Sequence, residues 1–151
     1  MAWPIRNVNS GLVLDVPGFS TDDGAPIQQH TWNGGSNQMW DLLPVSVSAS
    51  ISPYGSGFFK IRSQATGKLL TAPTQQPQPA QVVQQADQDL PNQVWYLLLQ
   101  NMDNSGGQYR FSIINIDSGL VLDVPGFSTD GGTLIQEFSF NGGTNQLWYL
   151  G

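Results

Sequence analysis

Residues 7–42 of this chain return as residues 115–150, a shift of 108 positions, with 24 of the 36 aligned residues identical. Both copies carry Leu-Asp-Val-Pro-Gly-Phe-Ser-Thr-Asp, at Leu14 to Asp22 and Leu122 to Asp130. Both close on Asn-Gln-x-Trp, at Asn37-Gln38-Met39-Trp40 and Asn145-Gln146-Leu147-Trp148. Between them lies a more divergent copy, in which Gly67-Lys68-Leu69-Leu70 answers Gly11-Leu12-Val13-Leu14 and Asn92-Gln93-Val94-Trp95 ends the unit. Self-similarity at a fixed long period means that one supersecondary unit is used several times. The expected organisation is a single domain over residues 1–151, with repeats at about 1–45, 56–99 and 108–151.

Each unit is too short to bury its own apolar face, so the copies must share one core. Period-two alternation opens every copy, at Trp3-x-Ile5, Phe59-x-Ile61 and Phe111-x-Ile113. A second strand is expected at 12–15, 68–71 and 120–123, and a third around Ile27-Gln28, Val82-Val83-Gln84 and Ile135-Gln136. A fourth falls at Trp40-x-Leu42, Trp95-x-Leu97 and Trp148-x-Leu150, making twelve strands in all. Turn signals separate them: Pro17-Gly18, Asp23-Gly24 and Asn33-Gly34-Gly35 in the first copy, and Pro125-Gly126, Asp130-Gly131 and Asn141-Gly142-Gly143 in the last. No segment has a sustained helical stripe. The Pro/Gln stretch from Pro73 to Pro79 cannot join a central ladder and is expected to project as a loop.

Composition narrows the function. Five Lys and Arg against eleven Asp and Glu give a net charge of −6, so a nucleic-acid backbone would be repelled. Cysteine is absent, which removes disulfides, thiolate nucleophiles and thiolate metal ligands. No run of about 18 apolar residues exists to insert in a membrane, and the start lacks a basic leader followed by an apolar stretch. A soluble chain without a classical leader is expected. There is one histidine, no Gly-x-Ser-x-Gly and no run of oxygen ligands at alternate positions, so neither a catalytic residue, a bound metal nor a cofactor is expected.

Three four-stranded repeats, each ending in Gln-x-Trp at spacings of 55 and 53 residues, resemble the ricin B-type β-trefoil, the fold of R-type lectins and related carbohydrate-binding modules. The resemblance spans nearly the whole chain. It implies an all-β trefoil with pseudo-threefold symmetry, Trp40, Trp95 and Trp148 in the core, and Gln residues that hold the sugar-binding loop. It also implies galactose-type ligands, with glycans on glycoproteins or glycolipids as partners.

The chemistry of sugar recognition leads to the same residues. A sugar offers vicinal hydroxyls and an apolar C–H face, so a receptor needs a carboxylate acceptor, amides that donate and accept, and a flat side chain. In the first copy Asp15 would accept from a hydroxyl pair, Gln28 and Asn33 would bond further hydroxyls, Asn37 and Gln38 would close and orient the pocket, and His30 would lie under the ring. In the last copy Asp123, Gln136, Phe138, Asn141, Asn145 and Gln146 take the same roles. The middle copy replaces the Asp by Thr71 and the Asn-Gly-Gly by Gln85-Ala86-Asp87-Gln88-Asp89, and its Gln84-to-Trp95 gap is 11 rather than 12. Its pocket is expected to be silent.

Simpler roles stand beside these. Asp before Pro-Gly is often a turn residue bonding its own backbone. Trp32 and Phe140 read as loop anchors, while Phe19 and Phe127 could shield a sugar or merely pack on the loop. The competing reading of the whole is a trefoil protease inhibitor or protein-interaction module acting through long loops, Pro73 to Pro79 and Ser46 to Ser56. Met1 lies near the first strand and Gly151 just after the last, which suggests a complete small lectin. A homodimer through the altered middle lobe is a further expectation.

Overall fold

The computed structural model describes residues 1–45, 57–74, 78–102 and 107–151. Among them run fourteen strands: β1 Ala2–Trp3, β2 Ile5–Asn7, β3 Val13–Asp15, β4 Gln28–His30, β5 Trp40–Pro44, β6 Gly57–Ser63, β7 Leu69–Thr71, β8 Ala80–Gln81, β9 Val83–Gln85, β10 Trp95–Met102, β11 Tyr109–Asn115, β12 Val121–Asp123, β13 Gln136–Phe138 and β14 Trp148–Leu150. Two more appear than the twelve expected. Pro4, which lacks an N–H for the ladder, divides the first strand into β1, paired with β5, and β2, paired with β14. The other addition, β8, pairs with β13 of the last copy.

The first and fourth strands of the copies close a barrel in the order β1/β2, β5, β6, β10, β11, β14 and back to β2. Three hairpins, β3/β4, β7/β9 and β12/β13, cap one end. They are joined to one another by the β8–β13 pairing and by the bridges Pro26–Val83 and Gln28–Leu134. Alternation places Ile5, Ile61 and Ile113 inside, all with 0% exposure. Trp3 departs from the expected pattern: at 38% exposure it lies outside the core, because β1 ends at Pro4 before the buried row begins.

Trp40, Trp95 and Trp148 are fully buried, as expected from the Gln-x-Trp repeat. Each indole N–H donates to a second-strand carbonyl, of Leu14 (3.1 Å), Leu70 (2.9 Å) and Leu122 (3.2 Å). A buried indole is thereby satisfied while tying barrel to cap. With Leu14, Leu70, Leu122, Ile27, Val82 and Ile135 these rings form one shared core.

The lobes are also stitched by polar side chains. Gln29 accepts from Ser10 Oγ at 2.8 Å and donates to the carbonyls of Ser128 and Asp130 (3.1 and 3.0 Å). Gln84 repeats this, accepting from Thr66 Oγ1 at 3.0 Å and donating to Ser20 O and Asp22 O. In the last copy the equivalent residue is Glu137, 2% exposed, which accepts from Ser118 Oγ at 2.9 Å. Burial pushes its carboxyl above the usual range, the Ser118 bond opposes that, and the Asp117 charge adds to it.

These contacts correct the middle-copy alignment. Thr71 faces Val83 across its hairpin just as Asp15 faces Gln28, so Val83 and not Gln84 occupies the pocket position. Counted from Val83 to Trp95, the gap is 12, as in the first copy. The expected long loops fall largely outside the described residues: residues 46–56 entirely, and 75–77 of the Pro/Gln stretch.

Candidate functional site

Asp15 ends β3 beside Gln28 of β4, and the chain then turns through a short 3-10 segment, Pro17–Phe19. A second 3-10 turn, Ser36–Gln38, brings the Asn-Gln pair behind the same carboxylate. Val16 N–H donates to Asn37 O at 3.0 Å, which fixes one turn against the other. The Asp15 carboxylate is 3% exposed, yet its oxygens are well provided with donors. Oδ1 accepts from Gln28 Nε2 at 2.9 Å, and Oδ2 accepts from Asn37 Nδ2 at 3.2 Å and Gln38 Nε2 at 2.8 Å. Three amide donors make a buried anion tolerable where no cation is paired with it.

The last copy reproduces this arrangement atom for atom. Asp123 Oδ1 accepts from Gln136 Nε2 at 2.9 Å, and Oδ2 from Asn145 Nδ2 at 3.3 Å and Gln146 Nε2 at 2.8 Å. A carboxylate offers about four lone-pair directions, so three internal bonds leave about one free without rearrangement. Gln28 and Gln136 are half-buried, and release of either from its Asp would free a second acceptor direction and an amide.

Gln38 and Gln146 are 0% exposed and hold the pocket together from behind. Besides the Asp, Gln38 donates to Thr31 O and accepts from Asn33 N–H (2.9 and 2.8 Å), and Gln146 does the same with Ser139 O and Asn141 N–H (2.9 and 2.8 Å). Their expected place among sugar-binding residues therefore narrows to orienting the carboxylate and the loop. No surface of theirs is open to a ligand.

The Asn-Gly-Gly tripeptides have a structural cause at each position. Asn33 Oδ1 accepts from Gly35 N–H at 2.8 Å, and Asn141 Oδ1 from Gly143 N–H at 2.7 Å. Gly34 and Gly142 have φ of 80° and 76°, the left-handed region that glycine enters freely. Gly35 is needed for space: a side chain there would run into Asn37 Oδ1, Asn33 Oδ1 and the Phe19 ring.

A hollow of about 210 Å³ opens over Asp15, lined by Gly18, Phe19, Gln28, His30, Asn33 and Asn37. That is below the usual span of drug-sized pockets and on the scale of one small polar ligand. Of two further features of its wall, the sequence leaves the first open between shielding a sugar and packing on the loop, and does not foretell the second. Phe19 belongs to the lining, and the neighbouring lobe approaches from the other side, since Gly131 faces the His30 ring and Gly132 faces Gln28 Oε1. In the last copy the neighbouring lobe supplies β8 next to Gln136 and Gln78, whose Oε1 accepts from Ser139 Oγ at 2.8 Å. Phe138 is 37% exposed, and Trp32 and Phe140 are 39% and 57% exposed.

The middle lobe keeps the frame with different fittings. Gln93 Nε2 donates to Thr71 Oγ1 at 3.2 Å, while Thr71 Oγ1 donates to Leu69 O at 2.9 Å. Val83 offers no amide, and Leu90, 44% exposed, stands where Gly35 stands in the first lobe. Outside it Lys60 Nζ donates to Asp87 and Asp89 (3.0 and 3.1 Å). The Lys60 hydrogen bond holds the Asp87 carboxyl below its ordinary range. Among the described residues no group of three His, Cys, Asp or Glu could hold a metal ion. Nor is any of their helices long and apolar enough to cross a membrane.

A barrel capped by three hairpins, each wrapped round a Gln-x-Trp core and two carrying a buried carboxylate held by three side-chain amides, defines a β-trefoil of the carbohydrate-binding class. Residues 1–86 and 91–151 match the family of ricin-type beta-trefoil lectin domain-like proteins, and the chain belongs to that family. No curated protein matches it. Among solved structures it is similar to ThreeFoil, a designed 3-fold symmetric protein, at 31% identity over 99% of this chain and 96% of the other, with a TM-score of 0.83. It is likewise similar to an exo-β-1,3-galactanase of Clostridium thermocellum, at 31% identity and TM-score 0.82, where 99% of this chain aligns with only 29% of the enzyme. The Macrolepiota procera ricin B-like lectin, solved in complex with lactose, aligns over 99% of this chain and 94% of its own, at 20% identity and TM-score 0.72.

Proposed function

We propose that the chain is a non-catalytic, bivalent carbohydrate-binding protein that recognises galactose-type glycans through the Asp15 and Asp123 hollows, the middle lobe being silent. The observation that carries this reading is a joint difference. Two copies hold the same carboxylate on the same three amides, and the third loses the carboxylate and its flanking amide together, as Thr71 and Val83, while keeping the Asn-Gln frame.

In this reading Asp15 or Asp123 accepts from one hydroxyl of a vicinal pair. The half-buried Gln28 or Gln136 turns its amide from the carboxylate to the ligand, and Asn33 or Asn141 offers its free Nδ2 to a further hydroxyl. Galactose suits this because its axial 4-hydroxyl beside an equatorial 3-hydroxyl leaves one C–H face unbroken for an aromatic ring. A sugar with a misplaced hydroxyl would leave a buried group unpaired, at about 1–3 kcal/mol each. Each shallow site binds weakly, and two on separate lobes raise apparent affinity for clustered glycans or crosslink them.

Agglutination of red cells in the presence and absence of lactose, together with a glycan array, tests the proposal. Lactose-sensitive agglutination and galactoside-terminated hits support it. A protein that gives no array signal, or inhibits proteases equally well without either Asp, does not fit it.

A further inference from the structure

We infer that Phe19 and Phe127 are the shared apolar ligand contacts of the two hollows, so that each site takes a hexopyranoside with its C–H face against this ring; the inference rests on the lectin reading above.

The backbone is the first indication. Gly18 and Phe19 are consecutive left-handed residues, with φ of 60° and 55°, and Gly126 and Phe127 repeat them at 60° and 54°. Glycine enters that region without cost, whereas a bulky aromatic residue does so rarely and only when something else holds it there. Burial is not what holds these two, because Phe19 is 53% and Phe127 48% exposed. The chain thus places an open aromatic ring, twice, at a position whose backbone favours glycine.

The second indication is where the rings lie. Phe19 lines the hollow over Asp15, and its tip is 3.3 Å from where a β-carbon of Gly35 would be, beside Asn33 Oδ1. Phe127 is in the same relation to Gly143 and Asn141 Oδ1. The absence of a side chain at these glycines makes room for the ring at the edge of the pocket. By contrast, the buried Asn37 Oδ1 and Asn145 Oδ1 lack a hydrogen-bond partner, but Asn92 Oδ1 of the silent lobe does too, so they belong to the frame and carry no weight here.

The third indication is comparison between copies. Platform residues on the third strand differ, His30 against Phe138, while Phe19 and Phe127 are identical. At the same offsets from Thr71 the middle copy has Thr74 and Gln75, so it lacks the Gly-Phe pair along with the carboxylate. A receptor for hydroxyl pairs needs an apolar surface beside its polar floor. The Phe common to both sites supplies it, and His30 or Phe138 makes the sites differ.

The test uses single-site chains, Phe19→Gly in an Asp123→Ala background and Phe127→Gly in an Asp15→Ala background, titrated with methyl β-galactoside. Each should bind about three- to tenfold more weakly than its parent while its melting temperature holds or rises, because glycine relieves the backbone. Phe→Leu variants should weaken binding without that relief. Unchanged affinity in both glycine variants overturns the inference and leaves the lectin reading intact, as does a melting temperature that falls with affinity, which marks a structural anchor. Parents that bind no methyl β-galactoside overturn both.

Discussion

Gln38 Nε2 donates to Asp15 Oδ2 at 2.8 Å while Gln38 itself is wholly buried, so the residue of the Gln-x-Trp motif that marks the family serves to aim a carboxylate. Trp40, two residues on, bonds the carbonyl of Leu14 next to that Asp. In the first and last lobes the core and the carboxylate are therefore set by one short segment.

Replacing the carboxylate should cost stability as well as binding. Asp15→Ala removes the acceptor of one N–H on each of Gln28, Asn37 and Gln38, while Asn37 and Gln38 keep their bonds to Val16 O and Thr31 O, and a loss of about 2–4 kcal/mol is expected in urea unfolding. Asp15→Asn should lose less, because one amide oxygen still accepts.

The Asn-Gly-Gly loop admits no side chain at its third residue. Gly143→Ala meets Asn145 Oδ1 at 2.6 Å, the Phe127 ring at 2.7 Å and Asn141 Oδ1 at 2.9 Å. Such crowding is expected to cost about 1–3 kcal/mol and to weaken galactoside binding by the last lobe alone. Thermal melts and binding in an Asp15→Ala background check both effects.

Glu137 makes the pH dependence testable. Its folded carboxyl titrates above its unfolded value, so the protonated form is favoured on folding. The associated stability is present below the ordinary glutamate range and is lost as pH rises through the folded pKa. Glu137→Gln restores the residue type of Gln29 and Gln84 and should stabilise the fold at pH 7 by about 1 kcal/mol, with the gain shrinking towards pH 4. Melts of both proteins across that range measure the difference; a gain that grows on acidification would contradict the assignment.

The middle lobe should accept a carboxylate more readily than an ordinary buried site. Gln93 Nε2 already points at Thr71 Oγ1, and Val83 occupies the place of Gln28. Thr71→Asp combined with Val83→Gln is expected to fold within about 2 kcal/mol of the parent, whereas Thr71→Asp alone costs more. Equal unfolding midpoints for the two variants would contradict this.

The sequence made the threefold frame legible because the period, the alternation and the Trp positions all report burial, and burial is what the repeats share. Trp3 misled, since Pro4 cuts the ladder where alternation alone sees a strand. Gln84 misled for a related reason: Gln at two successive positions hid a one-residue offset that only the Thr71–Val83 pairing reveals. In the pockets, the Asp and its amides were readable from chemistry. The contribution of Gly131, Gly132 and β8 was not, because these come from the neighbouring lobe and no local pattern encodes that approach. The conformation of Phe19 was hidden as well, since nothing in Pro-Gly-Phe tells that the left-handed turn extends past the glycine.

Isothermal titration with lactose of the unsubstituted chain, Asp15→Ala, Asp123→Ala and the double variant tests the central claim most directly. The account predicts two sites per chain, one in either single variant and none in the double. Binding that survives in the double variant, or no lactose binding by the unsubstituted chain, would contradict it.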